Sequence, residues 1–174
     1  MGAGFRASRP DRRAARRISE TSEVSASSRL AELGIELPAV AKPLASYVPA
    51  VRSGNLVYTA GQLPMQAGTL ARTGKVGADV SPEEGKALAR ICALNALAAI
   101  DSLAGIDSIT QVVKVVGFVA SAAGFNGQPG VVNGASNLLA EVFGDRGAHA
   151  RSAVGVSELP LDAPVEVELV VEVG

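Results

Sequence analysis

Residues 149–174 read HARSAVGVSELPLDAPVEVELVVEVG, and the way this stretch divides decides the fold. It holds two strand-like runs, joined by a short connection that carries Pro160 and Pro164. In the second run Val165, Val167, Leu169 and Val171 alternate with Glu166, Glu168, Val170 and Glu172. A period of two with valines on one side predicts a half-buried strand. In the first run His149, Arg151 and Ala153 fall at steps of two, so all three share one strand face. If the two runs pair as neighbours, Arg151 and Glu166 can look into the same space. A guanidinium presents a planar fork of donors that matches a carboxylate. A carboxylate beside it can hold or activate water. Pattern alone favours the simpler account, a surface ion pair on an exposed sheet face.

Moving outward, ITQVVKVVGFVA (109–120) is apolar and β-branched almost throughout, which predicts a central strand covered on both faces. Ahead of it, Ser81-Pro82-Glu83-Glu84 opens a helix with a capping box and a proline at its first position. Leu88, Ile91, Leu94, Leu97, Ile100 and Leu103 recur along that helix and Gly105 ends it. Cys92 lies beside this stripe and reads as a buried structural thiol. A glycine-rich loop, 124–130, leads into a second helix, VVNGASNLLAEVFG, ended by Gly144. Near the N-terminus, 29–37 is a short amphipathic segment stopped by Pro38, and SYVPAV and LVYTAG flank Gly54-Asn55 as a hairpin. Both turn residues are expected at positive φ. Residues 66–80 form a polar loop with one short strand near Lys75-Val76. The order predicts a two-layer α+β domain: one sheet of five to six mostly antiparallel strands, with two helices on one face.

A chain of 174 residues fits one domain, and its composition is 48% hydrophobic but only 3% aromatic, so Ala, Val, Leu and Ile must build the core. The formal net charge of −1 gives no nucleic-acid surface. The single cysteine excludes an internal disulfide framework and suits a reducing, cytoplasmic setting. No apolar run is expected to approach a membrane span of about 18 residues. His149 stands apart from any cysteine or carboxylate set, so no metal site is expected. Residues 1–28 carry Arg6, Arg9, Arg12, Arg13, Arg16 and Arg17 and then serines, a composition expected to be a disordered extension to a domain spanning 29–174.

ARSAVGVSELP followed by VEVELVVEV resembles the C-terminal signature of the Rid (YjgF-type, reactive intermediate deaminase) family. Further matches are Tyr47 in the first strand, Gly61-Gln62-Leu63-Pro64 after the second, LAGIDSITQVVKVVGFV at the helix-to-strand junction, and Asn133 near the second helix start. The resemblance implies a chorismate mutase-like fold, assembled as a homotrimer with sheets inward and three clefts between subunits. It implies hydrolysis of enamines and imines derived from amino acids to 2-keto acids and ammonia, with no metal and no organic cofactor. Arg151 would clamp the substrate carboxylate and Glu166 would activate water. Tyr47, Gly61 and Asn133 would line the pocket. The alternative is a trimer that binds small carboxylates without turnover. The ribonuclease activity attached to the family fits poorly, because neither a basic patch nor stacking aromatics are present. Ala60 departs from a family hydroxyl residue, Ala153 from a frequent cysteine and Gly155 from a frequent acid, and these bear on substrate identity more than on fold.

Overall fold

A computed structural model describes residues 24–40 and 46–174. Its organising element is β5 (Ile109–Ala120), a strand of 12 residues. On either side of it lie β7 (Val165–Val173), which runs antiparallel, and β6 (Ala150–Val156), which runs parallel. The hairpin of β1 (Ala50–Ser53) and β2 (Leu56–Thr59) extends the sheet beyond β7, giving the order β1-β2-β7-β5-β6. The expected sheet of mostly antiparallel strands is present as five strands, with β5–β6 the parallel pair. A separate ribbon pairs β3 (Met65–Gln66) with β4 (Thr69–Leu70) inside the loop expected to be largely irregular. Val76 makes isolated bridges to Val80 and Ser121 rather than a strand.

The two runs of the C-terminal stretch are not neighbours. β5 stands between them, so the expected pairing of the Arg151 strand with the Glu166 strand is replaced by two separate ladders onto β5. β5 offers both edges and is the longest apolar strand, so each short run gains more by pairing with it than with the other. In the hairpin only Gly54 takes a positive φ, +61°, and Asn55 does not.

One sheet face is covered by α2 (Pro82–Ala104) and α3 (Gln128–Phe143). The capping box at Ser81 and Glu84 is formed in both directions, at 2.9 and 3.2 Å. The leucine stripe of α2 behaves differently from expectation. Three-residue steps advance about 300° each, so the stripe walks around the helix and Leu103 emerges 47% exposed. Leu88, Leu97 and Ile100 are buried as expected, and alanines 89, 93, 96 and 99 complete the face beside fully buried Cys92, whose thiol approaches the Val165 carbonyl at 3.6 Å. By length and composition α2 is also apolar enough to cross a membrane, contrary to the expectation of no such run, but 56% of its apolar window is buried against sheet and α3.

The N-terminal boundary also moves. α1 (Ala26–Glu32) starts within the stretch expected to be disordered. Ser25 caps it, and the Ser27 amide and hydroxyl both donate to the Asp107 carboxylate, at 2.8 and 2.6 Å. These bonds hold the Asp107 carboxyl below its ordinary value. The remainder of that stretch, 1–23, lies outside the described residues.

Small residues set the distance between α2 and α3. A Cβ at Gly134 would fall on the Lys86 carbonyl and against the Arg90 amide, both backbone, so the helices would have to separate. Gly134→Ala should lower the unfolding free energy by roughly 1–3 kcal/mol in urea titrations. Gly130→Ala on the same helix meets open space and should leave stability equal or slightly higher. Equal stability of the two variants would contradict the close contact.

Candidate active site

The parity of the ladders sorts the side chains by face. Arg151 is registered with Val115, and Val115 with Leu169, both buried under the helices. Arg151, Ala153 and Gly155 therefore face α3 along edge strand β6. The Arg151 Nη1 donates to Asn133 Oδ1 at 2.7 Å and to Ser136 Oγ at 3.1 Å. Both acceptors sit on one face of α3, three residues apart. Among the described residues both bonds go to Nη1. The edge formed by Nε and Nη2 keeps two parallel donors, the arrangement a carboxylate accepts side-on. Towards the end of β6, a Cβ at Gly155 would collide with Gln128 Nε2 and Ser121 Oγ. The space an acidic side chain would need there is thus filled by an amide and a hydroxyl.

Glu166 lies on the other face, registered with Phe118 of β5. Its carboxylate rests where a Cβ of Gly61 would be, so a glycine at 61 is what admits it. The loop that presents Gly61 is held at both ends. Gln62 and Val167 exchange amide hydrogen bonds at 2.9 and 3.0 Å. Buried Asn95 on α2 donates to the carbonyls of Leu63 and Met65 at 3.0 and 3.1 Å. Burial raises the Glu166 pKa, and the charge of Glu168, two residues on, raises it further. Burial likewise raises Glu168. Among the described residues neither glutamate has an ion-pair partner. Lys114, on the same face, donates to Ser152 Oγ at 3.0 Å. A carboxylate kept half-buried and short of cationic partners is a stronger base than one in water.

The candidate residues thus fall into two groups. Arg151 and Asn133 come together on the helix side, and Glu166 and Gly61 come together at the open face. Within one chain the guanidinium and the carboxylate do not share a cleft, contrary to the strand arithmetic. Tyr47 lies just ahead of β1, not within a strand, and is 49% exposed. Among the described residues no group of three His, Cys, Asp or Glu side chains gathers as a metal site.

Residues 27–173 match the family model described as "YjgF/chorismate mutase-like, putative endoribonuclease". The chain belongs to that family. Protein TCP17 of Trypanosoma cruzi is 44% identical over 145 residues, covering 82% of this chain and 91% of that protein. A 2-iminobutanoate/2-iminopropanoate deaminase of Dermatophagoides farinae is 31% identical over 137 residues, covering 79% and 93%. A solved structure of an Agrobacterium tumefaciens protein of unknown function superimposes with a TM-score of 0.79 at 46% identity, covering 86% of this chain and 92% of that one. The YjgF-type membership agrees with the C-terminal signature, and the mixed sheet with its helices on one face is the chorismate mutase-like arrangement.

Sequence reading passed over Asn95, Ser136 and Gln128. Asn95 carried a signal, since an amide inside an alanine-rich helix face has to find partners when buried. Ser136 and Gln128 gave none, because their roles depend on where β6 docks.

The raised pKa of Glu166 has a consequence for stability. The fold binds this proton more tightly than the unfolded chain, so its contribution is fully present below the ordinary carboxylate value of 4.5 and is lost as pH rises through the raised folded value. Glu166→Gln does not titrate. Its thermal stability relative to the parent should therefore rise between about pH 4 and pH 7. Melting curves across that range check this, and a gap that narrows towards neutral pH would contradict it.

Proposed function

We propose that copies of this chain associate as a homotrimer with their open sheet faces inward, and that the clefts between copies hydrolyse small imines derived from amino acids. The observation that carries this reading is the split site: a guanidinium engaged, among the described residues, only through Nη1 and a half-buried carboxylate on opposite faces of one sheet. A second copy can supply the missing half. The open face supports this reading, since Val51 and Tyr58 at one end and Val154 at the other are each more than two-fifths exposed. So does the position of Arg151 on edge strand β6, where a neighbouring copy can approach it.

In this reading the substrate carboxylate lies side-on against Nε and Nη2 of Arg151. Asn133 and Ser136 hold the other nitrogen, so the fork is already oriented when the ligand arrives. Glu166 of the adjoining copy takes a proton from water as the oxygen bonds to the imine carbon. The C=N π pair moves to nitrogen, which takes that proton back from Glu166 to give a carbinolamine. Glu166 then passes the carbinolamine hydroxyl proton to the amine as C=O forms and the C–N bond breaks, so ammonia leaves together with a 2-keto acid. The step consumes one water and needs no redox partner. The raised pKa of Glu166 brings its basicity closer to what proton transfer near neutral pH requires. The named deaminase among the relatives supports the substrate class.

Replacing Arg151 with Lys keeps the charge and loses the fork, so calorimetric binding of 2-ketobutyrate should weaken by about tenfold or more. Glu166→Gln should retain that binding while imine turnover falls by roughly 10²- to 10⁴-fold. Co-expressing the two variants should recover part of the activity, because some mixed clefts then hold both native residues. No recovery on mixing, or a monomer mass in light scattering, would sink the shared cleft. A parent protein that binds 2-ketobutyrate yet turns over none of several amino-acid-derived imines would instead be a carboxylate-binding trimer.

A further inference from the structure

We infer that Ser136 and His149 form a one-way hydrogen-bond relay that sets the orientation of the Arg151 guanidinium, which makes them positioning residues for carboxylate binding. The inference rests on the reading of Arg151 as the carboxylate clamp.

The direction of the relay follows from which atoms can donate. His149 Nδ1 lies 2.6 Å from the Gly147 carbonyl oxygen, which can only accept. In the neutral ring the proton therefore sits on Nδ1 and leaves Nε2 as an acceptor. Ser136 Oγ lies 2.9 Å from Nε2, so the serine hydroxyl donates to the ring. With its hydrogen committed there, Ser136 turns a lone pair towards Arg151, whose Nη1 donates to it at 3.1 Å. Guanidinium, hydroxyl, imidazole and carbonyl thus line up with every donor pointing the same way. Without the imidazole the hydroxyl is free to rotate and can aim its hydrogen at the guanidinium.

Both ends of the relay are held by α3. Gly147 packs so tightly on α3 that a Cβ there would strike the Leu139 carbonyl, which fixes its carbonyl relative to Ser136. Asn133, one turn before Ser136, accepts the second bond from Nη1. The result is selective: Nη1 is fully engaged, and the bidentate edge is kept clear. Arg151 itself stays partly open, as a ligand-facing side chain must.

The same serine and histidine also have the spacing of a nucleophile and its base. The geometry speaks against that role, because the serine lone pair already receives a hydrogen bond from Arg151 and, among the described residues, no backbone amide donates to its hydroxyl.

The test measures 2-ketobutyrate binding by calorimetry and imine-hydrolysis kinetics on the full chain. Ser136→Ala and His149→Ala should each weaken binding by about three- to tenfold and raise KM with kcat nearly kept. The double variant should be no worse than either single one, since both act through one path. His149→Gln offers an amide oxygen to the serine hydroxyl and should restore most of the affinity. Arg151→Lys serves as the control for the underlying reading. If Arg151→Lys weakens binding while the serine and histidine variants bind like the parent, the relay is refuted and the clamp stands. Additive losses in the double variant would refute it as well, as would covalent labelling of Ser136 by a fluorophosphonate. If Arg151→Lys itself binds like the parent, the clamp falls and takes the relay with it.

Discussion

Everything about the site depends on one strand standing between two others. β5 takes β7 on one edge and β6 on the other, and side chains on registered residues point the same way across a ladder. Arg151 is level with Val115 and Leu169, and Glu166 is level with Phe118. Valine 115 and leucine 169 must face the helices, so Arg151 does too, and Glu166 cannot. No rotamer change brings the two charges together. A one-residue slip of β6 would, but it would also turn Ala153 out to solvent and Val154 into the helix layer.

The helix layer is drawn close by the same economy of volume. Alanines on α2 and Gly134 on α3 let the two backbones touch, and Gly117 leaves room on β5 for Val132 of α3. With few aromatics, the core gains its density from short side chains and close backbones rather than from large rings. That closeness also brings Asn133 and Ser136 of α3 within reach of Arg151 on the edge strand. For the other half of the site, the Gln62–Val167 bridge and Asn95 hold the Gly61 loop against β7. Each half of the candidate site is therefore held in place by the fold itself.

Much of this was legible in the chain. The Ser81 capping box, the glycine stops at 105 and 144, the central strand and the valine–glutamate alternation are local signals, and local physics decides them. The C-terminal motif carried the family. What the pattern could not carry was which strand lies next to which. Neighbouring in sequence suggested that β6 and β7 pair, and only the greater length and two free edges of β5 reverse that. The boundary at 28 failed for a related reason: serines that read as disordered become a cap and a clasp once Asp107, far along the chain, lies beside them. Gln128 and Ser136 had no signal at all, since their partners arrive from β6.

The scarcity of aromatic side chains has an optical consequence. The chain has no tryptophan and two tyrosines, of which Tyr47 is 49% and Tyr58 44% exposed. Tyr58 is registered with Val170 and so stands on the open sheet face among the valines there. Ultraviolet emission and near-ultraviolet dichroism of this protein therefore come largely from rings outside the core, and are nearly blind to how that core is packed. Whatever covers the open face changes the solvent around Tyr58, and the intrinsic spectrum reports that event without any added label.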